Sequence, residues 1–231
     1  METPQLHHCT KYDSLCKILE SGAFWPSFCL EQSDFMHEFT EGAYAVVCFA
    51  DLLPDEVERH STNFNSDSYI IMSKEWALKN DVAPVIYYYP ETISANAIRN
   101  WTRYCVNKTS ENIEDTLVTN TTNLMFAYMK QYEGVYFNNK MKKFSDERRV
   151  FFLEREWRWV PWVKNGEAYF LTKDLFLDEK IRTEKRNELI RRGYTLKFSP
   201  EDVIEVGIPQ DKFEIFREKF GERYEVKNIG V

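Results

Sequence analysis

The chain has 231 residues, of which 43% are apolar and 16% aromatic, so a disordered or low-complexity protein is excluded. Thirty basic and 37 acidic side chains give a net charge of −7, which lacks the overall positive field of non-specific nucleic-acid binders. The longest apolar run, residues 43–50, is too short for a membrane-spanning helix of roughly 20 residues, and the first residues show no signal-peptide pattern, so we expect a cytoplasmic protein.

Hydrophobic periodicity predicts the elements of the first half of the chain. Residues 11–22 place apolar side chains at helical spacing, and Gly22 is typical of the position after a helix C-terminus. Strands are predicted over residues 43–50, 69–72 and 85–89. The apolar repeat over residues 111–132 predicts the longest helix of the chain.

The second half alternates β-rich and helical segments. A strand is predicted over residues 149–159, a helix over 178–192 closed by Gly193, strands over 194–198 and 203–208, and a helix over 211–220. Asn165 and Gly166 separate two β-rich runs and predict a hairpin with a type I′ turn. No repeat or Gly/Ser linker appears, so we predict a single α+β domain over residues 1–231, with mixed or antiparallel sheets and flanking helices. Its core is expected over about residues 6–208, followed by a C-terminal helix and strand at 209–231.

Several classes of site are excluded by missing motifs. The sequence contains no G-x-G-x-x-G, no G-x-x-x-x-G-K-[S/T] and no H-E-x-x-H. The histidines have no metal-ligand spacing, so no metal site is predicted; they are His7, His8, His37 and His60. The five cysteines include no C-x-x-C pair, which favours reduced thiols over a disulfide framework or a zinc knuckle.

The segment His8-Cys9-Thr10 precedes a short helix that ends in Ile18-Leu19-Glu20-Ser21-Gly22. Two interpretations fit these residues: His8 ends an edge strand and Thr10 caps the helix, or both side chains hydrogen-bond a ligand. The segment resembles the opening of the ADP-ribosyltransferase fold of the diphtheria-toxin and poly(ADP-ribose) polymerase type. The resemblance implies NAD as a cofactor, with His8 and Thr10 binding its ribose and nicotinamide amide.

Glu154, Glu156 and Arg158 form an E-x-E-x-R row, and on a single strand all three side chains would share one face. One interpretation is a cross-strand ladder of salt bridges. The other is a catalytic carboxylate, because a glutamate can stabilise the oxocarbenium-like charge that develops as nicotinamide leaves. The resemblance implies Glu156 in that role, with Glu154 as the second candidate. His8 and Glu156 are then expected to line one cleft between two sheets.

Four blocks in order resemble the AbiGi family of abortive phage infection. They are residues 6–22, 46–51, 73–85 and 154–161. The resemblance implies a phage-defence antitoxin or regulatory component that acts on a cognate toxin protein; the alternative is an active NAD-dependent ADP-ribosyltransferase. In the transferase fold a tyrosine stacks on nicotinamide, and Cys48 aligns with it here. We therefore expect Phe49 or Tyr69 to supply the aromatic face, with Tyr44 as a further platform.

Two groups of basic residues are candidates for a nucleic-acid partner. The first consists of Lys140, Lys142, Lys143, Arg148 and Arg149, and the second of Arg182, Lys185, Arg186, Arg191 and Arg192. Runs of this kind are usually solvated surface. If the chain binds nucleic acid, its phosphates are expected at these two groups.

Overall fold

The computed structural model describes residues 5–33, 40–111, 116–161 and 169–229. Its helices are α1 (Tyr12–Ser21), α2 (Val57–Asn63), α3 (Lys74–Lys79), α4 (Ile93–Glu111), α5 (Thr116–Ala127), α6 (Lys173–Leu177), α7 (Glu179–Arg191) and α8 (Phe213–Phe220). Its strands are β1 (Gln5–Thr10), β2 (Ala23–Phe24), β3 (Ser27–Ser33), β4 (Thr40–Leu52), β5 (Ser68–Met72), β6 (Ala83–Pro84), β7 (Ile86–Tyr88), β8 (Met129–Gln131), β9 (Glu133–Asn138), β10 (Lys143–Val150), β11 (Glu156–Trp159), β12 (Phe170–Thr172), β13 (Leu196–Lys197), β14 (Val203–Pro209) and β15 (Val226–Ile229). This mixture confirms the predicted α+β class.

One large sheet organises the described residues. Its strands run in the order β15-β14-β5-β1-β4-β11-β6, and β3 and β12 pair with the first half of β4. These pairings are antiparallel, apart from the parallel pair of β14 and β15. The second half of β4 pairs with β1 and β11. Strand β4 therefore joins the two parts of the sheet.

The main apolar core covers one face of this sheet, because successive side chains along a strand point to opposite faces. Leu6, Phe49 and Ile70 point to this face and pack against α1, α3 and α8. Trp157 and Trp159 of β11 pack against the same core. Full burial of such a side chain contributes roughly 1.5–3 kcal/mol, so this face holds the helices to the sheet.

Strand β4 is bent toward the other face. Glu31 of β3 lies opposite Gly42, and Arg158 of β11 lies opposite Cys48, six positions further along β4 (48 − 42). Six residues of straight strand span roughly 20 Å. The side chains of Glu31 and Arg158 nevertheless form an ion pair. The bend therefore brings β3 and β11 together over a concave face.

The strongly patterned segments of the sequence are confirmed. Gly22 follows α1 with φ at 59°, a left-handed conformation that glycine adopts without a Cβ penalty. Asp178 caps the N-terminus of α7, and Gly193 follows its C-terminus with φ at 82°. The predicted strands correspond to β4, β5, β7, β13 and β14.

Two predicted elements are wrong. The longest described helix is α4, with 19 residues, whereas residues 129–131 of the predicted helix form strand β8. The predicted strand over residues 149–159 is interrupted by a 3₁₀ turn at Phe151–Glu154, after which Arg155 has φ at 41°. The hairpin turn at Asn165 and Gly166 lies outside the described residues. The boundaries of a single domain stay a prediction.

Candidate functional site

A cavity of about 860 Å³ opens on the concave face of the sheet, opposite the main apolar core. Small-molecule pockets commonly have volumes of about 300–1,000 Å³. Strands β3, β4, β8, β9 and β11 and helix α5 contribute to its wall. The wall combines aromatic rings with charged groups, among them Tyr44, Phe137, Phe151, Glu31, Lys130, Glu154 and Glu156. The cavity is therefore the candidate site.

Arg158 anchors the charged groups from behind the cavity wall, with only 1% of its side chain exposed. Its Nε donates to Oε1 of Glu156 at 2.7 Å, and its Nη2 donates to Oε2 of the same carboxylate at 3.0 Å. Its Nη1 donates to Oε2 of Glu31 at 3.1 Å and to the carbonyl oxygen of Ala127 at 2.7 Å. One guanidinium thus connects β11, β3 and the end of α5.

Lys130 of β8 is the second cation of the site. Its Nζ donates to Oε2 of Glu154 and to Oε2 of Glu156, both at 2.9 Å, and lies 3.7 Å from Oε1 of Glu31. The same ammonium lies 4.7 Å from the ring centroid of Phe151. Burial alone would lower the pKa of Lys130, but the three carboxylates outweigh it and raise the pKa. We call Glu31, Lys130, Glu154, Glu156 and Arg158 the ion cluster.

The two candidate carboxylates have different surroundings within the ion cluster. Burial opposes ionisation of Glu156, but Arg158 and Lys130 outweigh it and lower its pKa. Burial raises the pKa of Glu154, and Lys130 opposes this only in part. Both oxygens of Glu156 accept hydrogen bonds from cations, whereas the described contacts of Glu154 engage its Oε2 alone. Among the described contacts, Glu154 therefore has the freer oxygen, and it also lines the cavity.

His7, and not His8, shares the cavity face with Glu156. His7 and Glu156 both lie opposite Ala50 of β4, and both line the cavity. His8 points the other way: its Nδ1 donates to the carbonyl oxygen of Cys48 at 2.9 Å, and its ring contacts Phe49 with centroids 5.6 Å apart. The expectation that His8 and Glu156 line one cleft is wrong, because the alternation of the strand places them on opposite faces.

The other predicted cofactor residues are also spread over the fold. Thr10 ends β1 opposite Ser68 and does not line the cavity. The Tyr69 hydroxyl donates to Oε1 of Glu205 at 2.8 Å, also away from the cavity. Phe49 borders the cavity, although its ring belongs to the apolar core. Tyr44, the further platform, lines the cavity. A binding role for these residues stays a prediction.

Sequence reasoning missed Lys130 and Glu31. Lys130 fell in the predicted long helix, so its approach to Glu156 could not be foreseen. Glu31 meets Arg158 only through the bend in β4. The available signal was the charged row on β11, since a fully buried arginine requires carboxylate partners somewhere in the fold.

Most of the predicted basic residues have partners within the chain. Lys143 pairs with Asp146, Arg148 with Glu133, and Lys185 with Glu188. Lys140 and Arg149 line the cavity, and the guanidinium of Arg149 lies 3.7 Å from the ring centroid of Tyr136. A nucleic-acid partner stays a prediction.

Neither a metal cluster nor a membrane-spanning helix is found in the described ranges. No group of three or more potential metal-ligating side chains comes together there. None of the helices in the same ranges is long and apolar enough to cross a membrane.

A comparison with a family model covers three of the four blocks of the sequence, residues 46–51, 73–85 and 154–161, and begins after the first, residues 6–22. The family model described as "Putative abortive phage resistance protein AbiGi, antitoxin" matches residues 23–209. An abortive phage resistance protein AbiGi of Lactococcus lactis subsp. cremoris is 22% identical over 173 residues, and the match covers 68% of each chain. No solved structure matches, so the likeness to the ADP-ribosyltransferase fold stays a prediction. With most of its length matched by the family model, the chain belongs to the AbiGi family of abortive phage resistance.

Proposed function

We propose that the chain acts in abortive phage resistance as an antitoxin that binds a toxin protein. The description of the family supports this role. The observation that carries it is the hydrogen bonding of Glu156. Both oxygens of this carboxylate are held by Arg158 and Lys130, so Glu156 anchors the cavity wall. A carboxylate that stabilises a reacting sugar must present an oxygen to it. The contacts of Glu156 thus favour binding over transfer.

An exposed aromatic surface supplies the contacts that a protein partner would use. Tyr89 stacks on Tyr132 with ring centroids 4.5 Å apart, and Tyr132 stacks on Phe152 at 5.0 Å. We call these three residues the aromatic ladder. Tyr89 is 46% exposed and Phe152 is 44% exposed. Rigid aromatic side chains dominate the binding energy of many protein interfaces. We expect the toxin to contact this surface.

The antitoxin role is tested by expressing the genes that flank this one, each alone and together with this chain. We expect one flanking gene to arrest growth alone and growth to be restored by co-expression of the chain. Host cells that carry the pair should also resist phage infection. The proposal fails if no flanking gene arrests growth, or if the arrest persists when the chain is present.

Phe152→Ser is expected to weaken toxin neutralisation, because it removes one ring of the aromatic ladder and leaves the sheet intact. The loss is expected to be at least tenfold in toxin affinity, as at interface residues that contribute more than about 1.4 kcal/mol. Titration of the purified toxin with each variant measures it. Ile215→Ser is the matched control, since Ile215 is 53% exposed on α8. Equal affinity in both variants, each with an unchanged melting temperature, would place the toxin elsewhere.

A second candidate function is NAD-dependent ADP-ribosyl transfer, and one observation favours it. The cavity is large enough for a dinucleotide-sized ligand and has Glu154 and Glu156 in its wall. His7 would then meet the ligand in place of His8. Calorimetric titration with NAD separates the candidates: saturable heat together with release of nicotinamide supports transfer. No saturable heat at millimolar NAD would remove it and leave the antitoxin role.

If transfer occurs, Glu154→Gln is expected to lower the rate of nicotinamide release by about 10²–10³, the usual loss for one preorganised electrostatic contact. The sequence favours Glu156 for this role, but Glu154 has the freer oxygen. Glu156→Gln is expected to reduce the folded fraction more than the rate per folded molecule. A larger rate loss in Glu156→Gln at equal folded fraction would reverse this order.

A further inference from the structure

The ion cluster contains one more acid than cations. Its acids are Glu31, Glu154 and Glu156, and its cations are Lys130 and Arg158. None of these side chains is more than 21% exposed, so water screens the excess negative charge only in part. In the part of the chain that the structure describes, no further cation pairs with the three acids. The cluster can therefore accept one positive charge from a ligand.

Glu154 is the acid that a ligand would meet. Glu31 and Glu156 each use both carboxylate oxygens, since Arg158 contacts both oxygens of each. Glu154 accepts a hydrogen bond from Lys130 at its Oε2 alone, and among the described contacts none engages its Oε1. Glu154 also lines the cavity. Its raised pKa, caused first by burial, agrees with a carboxylate that has too little positive charge nearby.

Gln131 supplies a second group that lacks a partner among the described residues. It belongs to β8, lines the cavity and is only 8% exposed. Its buried Nε2 has no hydrogen-bond partner. The nitrogen of a side-chain amide only donates hydrogen bonds, and leaving it unpaired in the interior costs free energy. A ligand beside Gln131 would therefore offer an acceptor, such as a carbonyl oxygen.

The ring of Phe151 adjoins both groups. The ammonium of Lys130, which pairs with Glu154, lies 4.7 Å from the centroid of this ring. A Cβ added at Gly134 would lie 3.1 Å from Cε2 of Phe151 and 2.8 Å from Oε1 of Gln131. The glycine thus leaves room for the amide of Gln131 beside the ring. The carboxylate, the aromatic ring and the amide therefore form one continuous part of the cavity wall.

We propose that the cavity binds a small α-amino carbonyl compound of the amino-acid amide class, with its ammonium on Glu154 and its carbonyl oxygen on Gln131. The ammonium would neutralise the excess charge of the ion cluster, and the aromatic wall favours both a cation and an apolar side chain. Cytosine offers a similar donor and acceptor but no charge, so it would leave the excess in place. This site is independent of the antitoxin role and lies apart from the aromatic ladder.

Three related ligands test the two contacts on the unmodified full chain. Calorimetric titration is carried out at about pH 7, where an α-amino group is largely protonated. Phenylalaninamide is expected to bind saturably. N-acetylphenylalaninamide lacks the ammonium and should bind at least tenfold more weakly, and phenethylamine lacks the carbonyl and should bind about two- to tenfold more weakly. The proposal fails if phenylalaninamide gives no saturable heat at millimolar concentration, or if either analogue or cytosine binds equally well.

Variants of the two polar residues test where the ligand lies. Glu154→Gln keeps the size of the side chain but removes its charge, and should weaken phenylalaninamide binding at least tenfold. Gln131→Met removes the amide donor and should weaken it about two- to tenfold, without changing the affinity for phenethylamine.

Glu147→Gln is the matched control, since Glu147 is exposed on β10 and does not line the cavity. It should bind phenylalaninamide like the parent protein. Melting temperatures establish that each variant is folded. Unchanged affinity in folded Glu154→Gln or Gln131→Met would overturn the proposal. If a variant does not fold, the ligand series on the unmodified chain decides.

Discussion

Arg158→Met is expected to destabilise the protein by about 3–5 kcal/mol, the range for removing one partner of a buried ion pair. The substitution keeps most of the side-chain volume but removes the cation that Glu31 and Glu156 share. It also leaves the carbonyl oxygen of Ala127 without its 2.7 Å hydrogen bond. Urea unfolding followed by tryptophan fluorescence measures the loss.

Lys74→Met is the control for this substitution. Lys74 pairs with Asp51 at 2.9 Å, but its side chain remains 36% exposed, and exposed pairs contribute about 0–1 kcal/mol. Arg158→Lys should fall between the two, because an ammonium keeps the charge but cannot hold two carboxylates with one planar fork. Equal losses in Arg158→Met and Lys74→Met would contradict the role assigned to the ion cluster.

Acidification is expected to remove the stability that Glu156 contributes. Because its pKa is lower in the folded than in the unfolded chain, this stability is fully present above the unfolded pKa of about 4.3. This stability is lost as the pH falls from about 4.3 through the lower pKa that Glu156 has in the folded chain. Between about pH 7 and pH 3 the parent protein should lose roughly 1–3 kcal/mol more than Glu156→Gln. Urea unfolding at a series of pH values measures this difference.

Glu154→Gln should behave in the opposite way. Its pKa is raised by burial, so the ionised group destabilises the folded chain above that pKa, and protonation relieves the cost as the pH falls. Removing this ionisation should leave stability at neutral pH unchanged or higher. If the two variants show the same pH dependence, the contrast between the carboxylates is wrong.

The fold was predictable where a single pattern decides the structure. Residues 43–50 carry no charge, and residues 11–22 and 178–192 end at glycines, so local chemistry determined these elements. Helix α4 was missed because its apolar residues do not form one stripe: Ile93, Trp101 and Tyr104 are exposed. Its position depends on packing against α5 and not on its own periodicity.

The sequence indicated some of the charged groups of the site, but it did not indicate which residues of neighbouring strands lie opposite each other. The E-x-E-x-R row indicated either a ladder of salt bridges or a catalytic carboxylate; Glu156 and Arg158 of that row are buried and form an ion pair. His7 and His8 are adjacent, and only the pairing of β1 with β4 decides which ring faces the cavity. Lys130 reaches Glu156 from 26 residues away, and Glu31 reaches Arg158 from 127 residues away. A local sequence pattern cannot predict contacts between residues that are so far apart in the chain.

The position of β4 between the core and the cavity restricts how the length of the chain can vary. Cys48 faces the cavity and Phe49 faces the core, so successive residues of β4 contribute alternately to the cavity wall and to the apolar core. Insertion or deletion of one residue within β4 would turn every following side chain of the strand to the opposite face. Phe49 would enter the cavity, and the partners of Arg158 would be displaced. Length changes compatible with this architecture are therefore confined to the connections outside β4.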